Sequence, residues 1–167
     1  MRVIVMAVGV DRPGLTQTLA DAIVEAQGNW LESHFARLGG TYVGSVLVEL
    51  PAGGLAELKQ AAKRMDAEGF HISIETAADE KASEGRTLAF ELVGADRPGI
   101  VREVSTALAG LGVSIDLFES ETEQEAWTGT TVFRARAEVM VPDAVSIDTV
   151  RAALEDISGE IVVDFSE

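Results

Sequence analysis

Val8-Gly9-Val10-Asp11-Arg12-Pro13-Gly14-Leu15 recurs half a chain later as Val93-Gly94-Ala95-Asp96-Arg97-Pro98-Gly99-Ile100. In each copy an apolar, strand-like run leads into the motif and a helix-like run leads out of it. A repeat of about half a 167-residue chain restricts the fold to two copies of one small domain. Each copy is near the size at which a lone core is marginal. The halves are therefore expected to pack on each other or on a second chain.

The charge balance narrows the partners. Thirteen Lys and Arg face 28 Asp and Glu, a net charge of −15. Nucleic-acid binding draws its affinity from basic side chains that neutralise phosphates, and anionic membranes attract the same groups. The nearest thing to a basic run here is the dispersed Lys59, Lys63 and Arg64. Direct nucleic-acid binding and membrane docking are not expected, whereas a basic protein partner fits. With no cysteines the chain has no disulfide, thiol nucleophile or thiolate metal site. The apolar run Met1 to Val8 is short and ends in Gly, Asp, Arg and Pro without a cleavage region. No stretch reaches the roughly 18 apolar residues of a membrane span. A cytoplasmic location is the expectation.

Residues 2–8 read as a strand apolar on both faces, which suits a central position in a sheet. Leu15, Leu19, Ile23 and Ala26 then recur at helical spacing until Gly28. Segments 29–38 and 41–50 flank Gly39-Gly40, a hairpin signal. Leu55, Leu58, Ala62 and Met65 predict a second helix, ending at Gly69, and Ile72 and Ile74 a closing strand. The second half repeats the order. Leu88, Phe90 and Leu92 mark a strand, and Val101, Val104, Leu108 and Leu111 a helix. Strands follow at about 113–123 and 129–141, joined by a loop around Ala126, Trp127 and Thr128. Ile147, Val150, Leu154 and Ile157 mark the last helix, and Ile161, Val163 and Phe165 the last strand. Each half is thus β-α-β-β-α-β, an α+β unit with a ferredoxin-like antiparallel sheet and both helices on one face. The expected domains are 1–78 and 86–167. Residues 79–85 are a charged, aperiodic linker, and the sheets pair within the chain or in a dimer.

The repeated turn is the candidate site. Pro13 and Pro98 sit where a helix would begin, a position that tolerates the missing N–H. Gly14 and Gly99 remove the β-carbon and let a ligand approach the backbone closely. The N–H groups of the first turn, at Leu15 and Ile100 onward, favour an anion such as an amino-acid carboxylate. Asp11 or Asp96 beside them could accept the ammonium group. The same turn reads equally as structural, with Asp capping the helix and Pro-Gly shaping a tight bend. Arg12 and Arg97 argue against simple capping, because the helix dipole disfavours a cation there by about 0.3–1 kcal/mol.

Other side chains offer less. His34 and His71, the only histidines, have no carboxylate cluster at metal-ligand spacing, and Ser33 and His34 point to opposite faces of a strand. Glu119, Glu121, Glu123 and Glu125 alternate along one strand face as a solvated edge. Trp30 and Trp127 read as core or interface anchors. No phosphate loop, dinucleotide fingerprint or metal motif is present, and no nucleophile, base and oxyanion site assemble. The sequence predicts neither a cofactor nor an enzyme.

A β-α-β-β-α-β unit with Asp-Arg-Pro-Gly between its first strand and first helix resembles the ACT domain, the regulatory amino-acid-binding module. Two such units filling essentially the whole chain resemble the glycine cleavage system transcriptional repressor family. In ACT domains of the serine-sensing dehydrogenase type the ligand lies between paired domains. It touches the turn after the first strand and an Asn that opens the second strand. The resemblance therefore implies ligand contacts at Asp11, Arg12, Pro13, Gly14, Leu15 and Asn29. In the second half it implies Asp96, Arg97, Pro98, Gly99, Ile100 and Ser114. The serine-binding pattern has Asn where this chain has Asp11 and Asp96, and His where it has Gly9 and Gly94. The first half, which keeps Asn29, matches better.

The resemblance implies an amino-acid-responsive regulator of glycine cleavage, acting on a DNA-binding transcription factor rather than on DNA. Glycine or serine is the expected ligand, and homodimers are compatible with the pattern. The alternative is an amino-acid-sensing regulatory subunit of a metabolic enzyme.

Overall fold

The computed structural model describes residues 1–78, 85–124 and 129–166. The first half contains β1 (Arg2–Val10), α1 (Leu15–Glu25), β2 (Asn29–Leu38), β3 (Thr41–Glu49), α2 (Gly54–Ala67) and β4 (Phe70–Thr76). The second contains β5 (Arg86–Ala95), α3 (Ile100–Gly110), β6 (Ser114–Gln124), β7 (Thr131–Val141), α4 (Ile147–Glu155) and β8 (Val162–Ser166). The chain divides into two compact units, Met1–Glu80 and Lys81–Glu167. Each holds a four-stranded antiparallel sheet, in the orders β2-β3-β1-β4 and β6-β7-β5-β8. This is the expected α+β architecture, twice. Most of the expected 79–85 linker, the loop at Ala126, and Glu125 and Trp127 lie outside the described residues.

Each core follows from period-2 strands meeting period-3.6 helices. In the first unit Val3, Val5 and Ala7 of β1 and Val46 and Val48 of β3 pack against Leu15, Leu19 and Ile23 of α1. Leu58, Ala61 and Met65 of α2 complete the layer. In the second unit Phe90 and Leu92, with the alternating Phe133, Ala135, Ala137, Val139 and Val141, meet Val104 and Leu108 of α3. Val150 and Leu154 of α4 close that core. Among the described residues no polar or charged side chain is buried, so the side-chain core of each unit is held by apolar packing.

β1 is central, as its two apolar faces predict, yet only one of those faces is covered. Ile4, Met6, Val8 and Val10 point away from the helices and are exposed. On the covered side Trp30, Phe35 and Tyr42 stack in sequence, with ring centroids 5.9 Å and 5.2 Å apart. The Phe35 ring lies on the bare backbone of Gly44, where a Cβ would come within 2.0 Å of it. Glycine at 44 is what lets the rings stack. The expected strand-face alternation also holds at β2: His34 pairs across from Ser45 on the open face, and Ser33 from Val46 on the covered one.

Candidate functional site

The two repeated turns share one backbone. Gly14 and Gly99 are the N-cap residues of α1 and α3, both left-handed at φ 94° and ψ −3°. An L side chain is strained there, so glycine is required for conformation. Pro13 and Pro98 accordingly fall one residue before the cap, not on the first helical residue where the sequence places them. The reading of Asp as a helix cap is also not what forms, because neither helix carries a side-chain cap hydrogen bond.

The missing cap leaves the helix start open. The first bond of α1 runs from the Thr18 N–H to the Gly14 carbonyl at 2.9 Å, with the Thr18 hydroxyl on the same oxygen at 3.1 Å. The N–H groups of Leu15, Thr16 and Gln17 therefore have no partner among the described residues. In α3 the first bond is Glu103 N–H to Gly99 carbonyl at 3.0 Å, and the Ile100 N–H reaches the Arg97 carbonyl at 3.3 Å. The side chains of Leu15 and Ile100 are buried. Those two residues can meet a ligand only through their backbone.

The charges around the two turns differ. In the first unit the Asp11 carboxylate accepts from Arg37 Nε at 3.2 Å, and Arg12 turns to Glu68 at 3.7 Å. Each cation is paired with a carboxylate, which offsets the dipole conflict that Arg12 raised, and α1 has no acid in its first turn. The Thr16 hydroxyl meets the Tyr42 hydroxyl at 2.5 Å, tying the helix start to the sheet. In the second unit Arg97 folds onto Glu103 in a two-pronged pair, with Nη1 to Oε1 at 2.9 Å and Nη2 on Oε2. That bond holds the Glu103 carboxyl below its ordinary pKa and raises the Arg97 pKa. Asp96 has no ion-pair partner among the described residues. The first turn therefore offers an uncapped helix start free of acids. The second offers a free carboxylate beside a helix that already carries its own anion.

Sequence reasoning missed Arg37 and Tyr42. Both lie in one row of the sheet with Gly9, two steps before and after the Gly39-Gly40 hairpin. Counting back from that hairpin would have placed them beside Asp11. The corresponding row of the second unit holds Gly94, Phe133 and Thr122, which supply no cation.

Asn29 is not beside the turn of its own unit. It pairs across from Glu49, which pairs with Arg2, while Val10 and the turn lie at the other end of β1. Across a strand of this length the separation is roughly 25 Å. Ser114 takes the same end of the second sheet, in a row with Met140 and Thr87. One unit alone brings the Asp11 to Leu15 turn and Asn29 to no common ligand. A hollow of about 670 Å³ also opens at the Asn29 end, lined by Ile4, Glu32, His34, Leu47 and Thr76 among others. Among the described residues no group of His, Asp and Glu could hold a metal ion, and no helix is long and apolar enough to cross a membrane.

Comparison with known proteins agrees with this geometry. The sequence profile of the ACT domain matches residues 1–75, and a second ACT domain profile matches residues 89–159. No curated protein matches the chain in sequence. Among solved structures, an unknown protein from Galdieria sulphuraria is 28% identical with a TM-score of 0.80, covering 99% of this chain and 97% of that one. A protein provisionally assigned as a glycine cleavage system transcriptional repressor has a TM-score of 0.73 at 13% identity, with 99% and 97% coverage. At that identity the second likeness speaks to fold alone. Two profile matches on two βαββαβ units, one on each repeated turn, place the chain in the ACT domain family as a tandem of two ACT domains.

Proposed function

We propose that this chain is a non-catalytic, amino-acid-responsive regulator that binds a small amino acid, glycine or serine, and passes the signal to a protein partner. The observation that carries the reading is the uncapped start of α1, with three unpartnered N–H groups and no acid in its first turn. Such a helix start attracts a carboxylate, and the open space beside Gly14 admits one. Because Asn29 lies at the far end of the sheet, a ligand that touches both draws the turn from the first unit of one chain and Asn29 from the first unit of a second copy. That agrees with binding between paired domains. The ligand then acts by favouring whichever association of chains completes its site.

Within this reading the partner is a DNA-binding transcription factor, and the process controlled is glycine cleavage. The likeness to a structure provisionally assigned to that repressor class supports this, as does a net charge of −15, which suits contact with protein rather than DNA.

A thermal-unfolding series against single amino acids tests the sensor. A ligand at about 100 times its Kd adds roughly 2.7 kcal/mol, and each kcal/mol moves the midpoint of a chain this size by about 2–4 °C. A shift with glycine or serine alone is the expected result. No shift with any amino acid refutes the sensor, and affinity capture that returns a metabolic enzyme refutes the transcriptional role.

A further inference from the structure

The two units share a fold but not the chemistry of the sheet face that their helices leave open. In the first unit that face carries an apolar stripe down its two central strands. Ile4, Met6 and Val8 of β1, exposed at 36%, 38% and 41%, lie beside Leu47, Ser45 and Val43 of β3. At the same register the second unit places Ala89, Glu91 and Val93 of β5 beside Glu138, Arg136 and Arg134 of β7. There Arg136 pairs with Glu91 at 2.7 Å, and Glu119, Glu121 and Glu123 line the edge strand β6. The second unit shows that this fold tolerates a charged open face. The apolar stripe of the first is therefore not needed to hold its own sheet together, and an exposed stripe of this kind is a contact surface.

We infer that the open sheet face of the first unit docks on the same face of a second copy of this chain. The face is self-complementary under one two-fold axis, lying in the interface across the strands and passing through Met6. Rotation about it sets Ile4 and Leu47 over Val8 and Val43 of the second copy, and Met6 over its own equivalent. Glu75 then lies over the second copy's His71, whose Nδ1 meets Asp66 of its own chain at 2.5 Å. It does not lie over a second Glu75, so no two carboxylates of these rows are stacked. An axis along the strands instead stacks Glu32 on the second copy's Glu75, twice over, and like charges oppose it. The hollow beside Ile4 and Leu47 receives the branched side chains of Val8 and Val43 from the other copy. Sheets stacked about 10 Å apart in this way give a footprint of roughly 500 Å² on each copy, near the lower bound for a specific interface. A reversible dimer follows, populated at high concentration.

Sedimentation equilibrium of the full chain over a concentration series tests this. The wild type is expected to pass from monomer to dimer. Met6→Glu and, independently, Val8→Lys should weaken association by an order of magnitude or more while leaving the circular dichroism and unfolding midpoint unchanged. Val93→Lys, at the matching position of the second unit, should associate as the wild type does. The absence of cysteine adds a positional readout: Met6→Cys should couple to itself through a short bis-maleimide, and Val93→Cys should not. A wild-type chain that stays monomeric at millimolar concentration overturns the inference and leaves the face to a different protein. A dimer that survives both Met6→Glu and Val8→Lys overturns it too, by putting the contact elsewhere.

Discussion

Arg37 Nε lies 3.2 Å from the Asp11 carboxylate, so the acid that opens the first repeated turn is already neutralised from β2. The equivalent acid of the second turn, Asp96, has no such cation, because Thr122 stands where Arg37 does. The two turns therefore present different electrostatics on one backbone. A carboxylate approaching α1 meets three N–H groups and a neutralised acid. One approaching α3 meets Asp96, which has no ion-pair partner among the described residues, and a Glu103 already paired with Arg97.

That difference predicts an asymmetric sensor. Asp11→Ala together with Asn29→Ala should abolish amino-acid binding, and Asp96→Ala should leave most of it. Isothermal titration with glycine and with serine gives the comparison. Both Asp11 and Asn29 are exposed, so circular dichroism should be unchanged. A folded double variant that binds as tightly as the wild type removes the first turn from the site.

Gly14→Ala and Gly99→Ala should cost the same. Both residues sit at φ 94°, and an added Cβ meets open space at Gly14 and only an ordinary contact with Glu103 Oε1 at 4.0 Å at Gly99, so the penalty is backbone strain. About 1–2 kcal/mol is expected for each, read from chemical denaturation. Unequal costs would mean that one turn is held by contacts the other lacks.

Gly44→Ala works through crowding instead. The new Cβ meets the Phe35 ring, which can yield only by leaving its stack with Trp30 and Tyr42. A loss of about 1–3 kcal/mol is expected in the first unit. Adding Phe35→Ala should cost less than the two single losses combined, because the clash goes with the ring. Strict additivity in that double-mutant cycle would disprove the contact.

The Arg97–Glu103 pair predicts an acid-side dependence. Glu103 has its folded pKa depressed, chiefly by the hydrogen bond from Arg97. Its contribution is therefore present above the ordinary glutamate range and is lost as the pH falls through the lower folded value. Unfolding midpoints of the wild type and Glu103→Gln should differ near neutrality and converge in acid. Because the pair is exposed, the difference should shrink with added salt.

How far the sequence could be read depended on what each residue responds to. Leu15, Leu19 and Ile23, or Phe133, Ala135 and Ala137, answer to burial on one face, and periodicity reports that directly. The repeat then fixed the topology by requiring two copies of one unit. The turns were legible as a pattern but not as a geometry. Nothing local in Asp-Arg-Pro-Gly says that glycine takes the cap position or that Asp11 is satisfied by Arg37, twenty-six residues on. That one sheet face stays open was legible, because both helices lie on the other, but what covers β1 on that side was not, for a related reason. An apolar run such as Val3 to Val8 looks the same whether its second face is covered by a helix or left for something else.

The charged face of the second unit has a consequence of its own. Two adhesive faces on one chain would let each molecule grip two neighbours, and growth would run on as a filament. With Glu91, Arg136 and Glu138 keeping one face wet, a two-fold contact through the other closes on itself and stops at a pair. In the inferred dimer one half of the chain associates and the other terminates.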